Sequence, residues 1–455
     1  MTRLHAKTAL TSQGWQHAVR VVLGDDGRIA TIETGAKPSP EDESVDILLP
    51  APANLHSHSF QRAMAGLTEY RGRGRDSFWT WRALMYRFLE NLTPEQVEAI
   101  AAQVFVEMLE AGYGAVGEFH YLHHKLDGVA YDDPAEMGAR IAAAAQDTGI
   151  GLTLLPVLYS RGGADGTPLS DAQRRFGCDL ARFETLFEAS KRAVAALPDD
   201  TALGVAPHSL RAVGPEALRE VAMLAPEAPL HIHVAEQAAE VEEVEAALGA
   251  RPVAWLLDNL EVDARWCLIH ATQMKPGETV GLAVCGAVAG LCPITEANLG
   301  DGIFDGGRYV AAGGRFGVGS DSNVRIGLAE ELRQLEYTQR LRSGERAVLS
   351  SPTWSVGRTL FERACEGGAQ ALGRASGAIA EGRLADLVSL DAKALALAER
   401  RGDRLLDGWI FAGDDRVIDC VWSAGRQMVR GGRHRGRARI EARFRTVMAE
   451  LSEAL

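Results

Sequence analysis

The sequence predicts an α/β protein: a (β/α)8 barrel of the TIM type, with a small β-sandwich built from both chain termini. Three observations carry this. Apolar strand-like runs alternate with helical stretches from about residue 50 to residue 370. Polar, chemistry-bearing residues collect at the ends of nearly all these runs, as a shared C-terminal active-site face requires. Alternating β segments recur at both ends of the chain, outside that region. A doubly wound sheet is the competing architecture, and it does not call for polar residues at so many strand ends.

Residues 1–49 read as the first part of the sandwich. HAVRVVLGDDGRIATIETG holds two alternating runs joined through Asp25-Asp26-Gly27, a hairpin turn. The barrel, 50–370, opens on a stretch whose short apolar approach (Ile47, Leu48, Leu49, Ala51, Ala53, Leu55), bounded by Pro50 and Pro52, reads as a buried strand ending in His56-Ser57-His58. Further strands are expected at 114–122, 150–160, 202–210, 229–236, 265–271, 286–295 and 315–322, which makes eight. PEQVEAIAAQVFVEMLEAG, DPAEMGARIAAAAQDTG, CDLARFETLFEASKRAVAAL, GPEALREVAMLA and ALGARPVAWLLDNL have helical periodicity. The stretch 59–92 is a long insertion, expected to act as a lid with Gly66, Gly72 and Gly74 as hinges. Residues 371–455 complete the sandwich. GAIAEGRLADLVSLDA and the pair of strands around Ala424-Gly425 precede a helical tail, RARIEARFRTVMAELSEAL.

Composition narrows the function. The 455 residues are 46% apolar and 24% charged, ordinary globular values. A formal net charge of −13 argues against a nucleic-acid or anionic-membrane partner, since either needs a basic face. Six scattered cysteines without a CxxC point to a reducing compartment and to no thiolate metal site. No signal-peptide core and no membrane-length apolar run is present, so a cytoplasmic location is expected.

Side chains alternate faces along a strand, so His56 and His58 project the same way and can share a divalent metal. A second such pair, His231 and His233, stands before Glu236 at the end of the 229–236 run. His270 ends the 265–271 run, and Asp321 lies in Gly319-Ser320-Asp321-Ser322. A lone strand-end histidine is ordinarily structural and a lone aspartate before a helix ordinarily an N-cap. Imidazoles and carboxylates at the same end of four strands remote in sequence point to a metal centre. Which of His231 and His233 binds is left open by their common face.

HSH, HVAE, His270 and SDS together resemble the amidohydrolase superfamily over essentially the whole chain, in its one-metal deaminase branch. The resemblance implies one zinc ion held by His56, His58, His233 and Asp321, with His270 beside the reacting water or substrate. His233 is favoured as a ligand because it precedes Glu236 by three residues, as in the HxxE of that superfamily. No lysine occurs at 150–160 or 202–210, where binuclear relatives carry a bridging one. The chemistry then expected is general acid–base work by Glu236, on a water whose pKa the cation lowers toward ~7. Asp321 can accept a proton as well as bind the ion, and His270 can stabilise the tetrahedral centre.

Arg82 and Arg211 stand among the residues expected at the pocket mouth, and guanidinium binds carboxylates bidentately. The strings NLHSHSFQRAMAGL, DSFWTWRALMYRF, GEFHYLHH, HVAEQ and LCPITEANLGDGIF resemble superfamily members acting on N-formimino-L-glutamate. That implies a small dicarboxylate amidine as substrate, hydrolysed to N-formyl-L-glutamate and ammonia in histidine breakdown. Gln61, Arg82, Tyr121, His208 and Arg211 would hold its two carboxylates. The same resemblance implies a homodimer. A deaminase or chlorohydrolase of aromatic heterocycles is the rival reading, and would call for aromatic stacking without an arginine pair.

Overall fold

The alternating runs at the amino terminus pair with one another. β1 (Thr2–Thr11), β2 (Gly14–Leu23), β3 (Ile29–Glu33) and β4 (Glu43–Pro50) share one sheet in this computed structural model, which describes residues 1–70 and 78–454. The hairpin between β2 and β3 turns at Gly27, whose φ of 74° suits a residue without a Cβ.

The chain then enters the barrel. Its parallel strands are β5 (Ala53–Ser57), β6 (Ala115–His120), β7 (Gly151–Leu158), β8 (Ala202–Leu203), β9 (Ala206–Pro207), β10 (Leu230–Val234), β11 (Trp266–His270), β12 (Val288–Leu291) and β13 (Arg315–Val318). β5 through β8 pair in order, and so do β10 through β13. Parallel bridges close the ring on both sides: Ser57 to Asp321, and Val205 to Leu230 with Ser209 to His233. Closure excludes the open, doubly wound sheet.

Three expectations need correction. The approach to His56 is not one strand: Ile47, Leu48 and Leu49 lie in β4 of the first sheet, Ala53 and Leu55 in β5, and the chain breaks between them at Pro50 and Pro52. The run 202–210 is not one strand; it is broken into β8 and β9, both paired to β7. A Cβ at Gly204 would meet Leu155 and the Pro229 carbonyl at 2.6 Å, and Pro207 has no N–H for a ladder. The stretch ALGARPVAWLLDNL is not one helix. Gly249, at φ 75°, ends helix Ala238–Leu248, and Pro252 begins helix Pro252–Asn259.

Helix Val356–Ala371 stops one mouth of the barrel, where Ala371 and Leu372 pack on Leu55, Ala115, Cys267 and Val288. Its close approach requires glycine: a Cβ at Gly317 would lie 2.4 Å from Leu55 and 2.8 Å from the Gly368 nitrogen.

The chain returns to the first sheet as β14 (Leu387–Leu390), β15 (Ile418–Ser423), β16 (Arg426–Arg430) and β17 (Arg433–His434). β14 pairs with β4, so strands from both ends form one eight-stranded order, β17-β16-β15-β14-β4-β1-β2-β3. Leu4, Val21, Leu48, Leu387 and Trp422 share its inner core, while Ile47, Leu49, Val388 and Val421 face the barrel's core. A buried ionic chain ties this sheet to the barrel: Arg374 pairs with Asp386 and Asp200, and Asp200 with Arg426. The tail helix Arg437–Ala454 lies on helix Pro94–Glu110, joined by Arg443 to Glu98.

Candidate metal centre and active site

The ends of β5 and β13 are sewn together before any side-chain chemistry begins. Asp321 N–H donates to the His56 carbonyl, and His58 N–H to the Asp321 carbonyl, both at 2.9 Å. Buried Asn323 completes the seam. Its amide donates to Ser57 Oγ and to the His58 and Asp321 carbonyls, each at 3.1 Å, while its oxygen accepts from Ser320 Oγ. Ala235, His270, Ala271, Asp321 and Asn323 all have positive φ. Backbone strain of this kind persists only where surrounding contacts hold it, and it gathers at functional sites.

Four donors converge there. His56 Nε2 lies 3.0 Å from His233 Nε2 and 3.3 Å from Asp321 Oδ1, which is 3.2 Å from His58 Nε2. One donor atom from each of the four residues falls within 4.8 Å of the others, and all four residues are buried. His58 Nδ1 donates to the Phe119 carbonyl and His233 Nδ1 to the His208 carbonyl. Those bonds leave each Nε2 lone pair aimed inward. Burial pushes His56 down to about 3 and His233 well below the usual imidazole range, so these rings are neutral. Two acceptors facing one another at hydrogen-bond distance, as the His58 Nε2 lone pair and Asp321 Oδ1 do at 3.2 Å, repel unless a cation lies among them. The residues therefore fit a divalent metal, and three imidazoles with one carboxylate suit its usual donor set. His231 is not part of the cluster. Its Nε2 bonds the Ala371 carbonyl at 2.7 Å, at the plugged mouth of the barrel.

Glu236 and His270 stand beside this centre. His270 Nε2 is 3.8 Å from Glu236 Oε1 and 3.9 Å from Asp321 Oδ2. Burial pushes Glu236 up to about 7, against the attraction of His270. Glu240 accepts the backbone N–H groups of Ala235 and Glu236 and so fixes where Glu236 begins. Thr272 Oγ donates to the Glu236 carbonyl at 2.7 Å.

The remaining wall carries the five residues expected to face a substrate. Gln61, Arg82, Tyr121, His208 and Arg211 all line the cavity that also contains His58, His233, Glu236, His270 and Asp321. Gln61 donates to Tyr121 Oη at 2.8 Å, and His208 Nδ1 lies 3.1 Å from Ser209 Oγ. Arg82 Nη1 and Arg211 Nε and Nη1 are buried without a hydrogen-bond partner. Both guanidinium groups stack on one ring, Trp79, at 5.1 and 5.7 Å from its centroid.

Several contributors were missed by sequence reasoning. The insertion expected as a lid carries helix Phe78–Leu89, which brings Phe78, Trp81, Met85 and Tyr86 to the cavity beside Tyr159 and Phe176. Of its expected hinges, Gly66 has a φ of 81°, and Gly72 and Gly74 lie outside the described residues. The aromatic spacing in FWTWRALMYRF was the available signal. Asn323 and Glu296 carry no signal by spacing, because they act on residues of other strands, whereas Glu240 stands three residues after Gln237 in a capping box that spacing could have shown.

The barrel, its eight-stranded companion sheet and the His/Asp centre at the strand ends define a metal-dependent hydrolase, and the chain belongs to the amidohydrolase family, which matches residues 47–428. Residues 1–46 match the N-terminal domain of formimidoylglutamate deiminase HutF. The chain is 50% identical, over 99% of its length and 100% of the relative's, to formimidoylglutamate deiminase of Pseudomonas aeruginosa. The crystal structure of an amidohydrolase from Brucella melitensis superposes with a TM-score of 0.95 at 50% identity, covering 99% of this chain and 100% of that one. An adenosine deaminase from Xanthomonas campestris with bound zinc shares the fold at 22% identity, TM-score 0.82, over 99% and 98% of the two chains. Among the described residues, no helix is long and apolar enough to cross a membrane.

Proposed function

We propose that this chain hydrolyses N-formimino-L-glutamate to N-formyl-L-glutamate and ammonia, a step of histidine breakdown. One observation carries the reading. Two guanidinium groups with buried, unpartnered nitrogens face the same cavity as an imidazole–carboxylate metal centre. A small dianion with an electrophilic carbon at its other end fits both. The 50% identity to a formimidoylglutamate deiminase supports the same substrate.

In this account His56, His58, His233 and Asp321 hold one zinc ion, the metal named for the adenosine deaminase of like fold. When bound, the ion supplies Lewis acidity that lowers the pKa of a water at that point toward ~7. Glu236 takes the proton of the attacking water and returns it to the nitrogen that leaves as ammonia. Its carboxylate, raised to about 7 by burial, is matched to both halves of that task. His270 Nε2 faces the same space and stabilises charge developing at the tetrahedral carbon. Asp321, whose Oδ1 lies among the imidazoles that would hold the ion, has its other oxygen on the His270 side, where it would share the proton. Arg82 and Arg211, with Gln61, Tyr121 and His208, hold the two carboxylates and exclude water around them.

The functional divisions are 1–49 and 371–455 for the companion sheet with its tail helix and 50–370 for the barrel, and the working form is a cytoplasmic homodimer. The test is ammonia release by the metal-analysed protein from N-formimino-L-glutamate, guanine, cytosine and a triazine. Turnover of the first with one zinc per chain is expected. Turnover of a heterocycle in its place would overturn the substrate assignment.

A further inference from the structure

His270 has its reacting nitrogen toward the cavity, and something must keep it there. Its backbone is strained, with φ of 69° at His270 and 51° at Ala271. An imidazole ring turned half over about its bond to Cβ fills nearly the same volume, so packing alone does not select the face. Behind the ring, away from the cavity, Glu296 Oε1 lies 3.3 Å from His270 Nδ1. The same oxygen accepts the Cys292 N–H at 2.8 Å, at the start of helix Pro293–Leu299. The carboxylate is thus anchored to β12's exit while it grips a ring on β11. Glu296 is buried and lines no part of the cavity, so it touches neither substrate nor the metal donors.

We propose that Glu296 is a positioning residue: its carboxylate fixes the Nδ1–H tautomer and ring orientation of His270, and so aims Nε2 between Glu236 and Asp321. The role of His270 rests on the function proposed above; its orientation does not. Of the carboxylates around the ring, Glu236 and Asp321 face Nε2 and only Glu296 lies within hydrogen-bond distance of Nδ1, and an acceptor at this position settles which nitrogen of a neutral imidazole carries hydrogen. Without it, both tautomers and both ring orientations become accessible, and only part of the population presents the right atom to the substrate. Such a loss falls on turnover and leaves substrate affinity nearly intact.

The experiment uses the zinc-loaded full chain with Glu296→Ala and Glu296→Gln, each in the wild-type and His270→Asn backgrounds. Glutamine keeps an oxygen where alanine has none. Expected is a fall in kcat of about 100-fold for E296A, with KM within about 3-fold and one metal per chain retained. E296Q should recover to within about 10-fold of wild type. In the His270→Asn background, E296A should cost nothing further, because residues acting as a unit are not additive. An equal loss in both backgrounds, or no rescue by glutamine, would overturn the proposal and mark Glu296 as only structural. Nitrogen-15 histidine labelling gives a readout that needs no substrate. The His270 ring signal, identified by its loss in His270→Asn, should show Nδ1–H in wild type and a mixed tautomer in E296A. An unchanged tautomer would also overturn it. Should wild type release no ammonia from N-formimino-L-glutamate, the substrate reading fails, and this ring signal still decides the role of Glu296.

Discussion

Replacing Arg211 with methionine should move activity and stability in opposite directions. The Arg211 side chain is 4% exposed, and its Nε and Nη1 have no partner in the protein. Hydrogen bonds to a charged group contribute about 1.5–3 kcal/mol each. Two of them to a substrate carboxylate are worth about 3–6 kcal/mol, or roughly 150- to 20,000-fold in kcat/KM. Without substrate the same two atoms are a liability, since burying an unpaired polar group costs stability. The stack on Trp79 at 5.7 Å returns only about 0.5–2 kcal/mol. Methionine, apolar and adaptable, removes the unpaired charge and keeps most of the volume. Ammonia-coupled kinetics and thermal unfolding of the substrate-free protein read the two effects. A loss of at least about 100-fold in kcat/KM is expected, with Tm unchanged or raised by a few degrees. A kcat/KM within about 5-fold of wild type, or a Tm lowered by more than about 5 °C, would refute the assignment of Arg211 as a waiting carboxylate receptor.

Glu236→Gln should keep one metal per chain by elemental analysis while lowering kcat by about 1,000-fold, the scale of a lost acid–base group. Asn323→Leu removes the amide that joins Ser57, His58 and Asp321. It should weaken metal affinity by about 10- to 100-fold in chelator competition, even though Asn323 is no ligand. Asp200 is held below the usual carboxylate range, its burial outweighed by Arg426 and Arg374. Its stabilising contribution is therefore complete above the unfolded value of about 3.9 and is lost as pH falls through the lower folded value. Asp200→Asn should flatten the acid limb of the stability–pH curve in denaturant titrations, and an unchanged limb would exclude this pair from acid unfolding.

The metal centre was legible because strand periodicity puts His56 beside His58 and places His233, His270 and Asp321 at strand ends, whatever the loops do. The choice between His231 and His233 was not legible from periodicity, since both point into the barrel. Depth decides it: the Ala371 carbonyl, brought by a distant helix, takes His231. The barrel was readable from alternation, but the split of its fourth strand was not, because it follows from Leu155 and Pro229 crowding Gly204. The aromatic wall escaped notice because FWTWRALMYRF was read as part of a loop. A helix there turns Trp79 under two guanidinium groups that approach from separate elements. Glu296 and Asn323 act on partners that only the closed barrel brings near.

The central claim is that four side chains from three remote segments share one ion on which the reaction depends. Anomalous diffraction at the zinc edge from crystals of active protein tests it most directly. One peak is predicted, about 2.0–2.2 Å from a nitrogen of each of His56, His58 and His233 and from a carboxylate oxygen of Asp321. A peak elsewhere, or full turnover of N-formimino-L-glutamate by protein without such a peak, would contradict it.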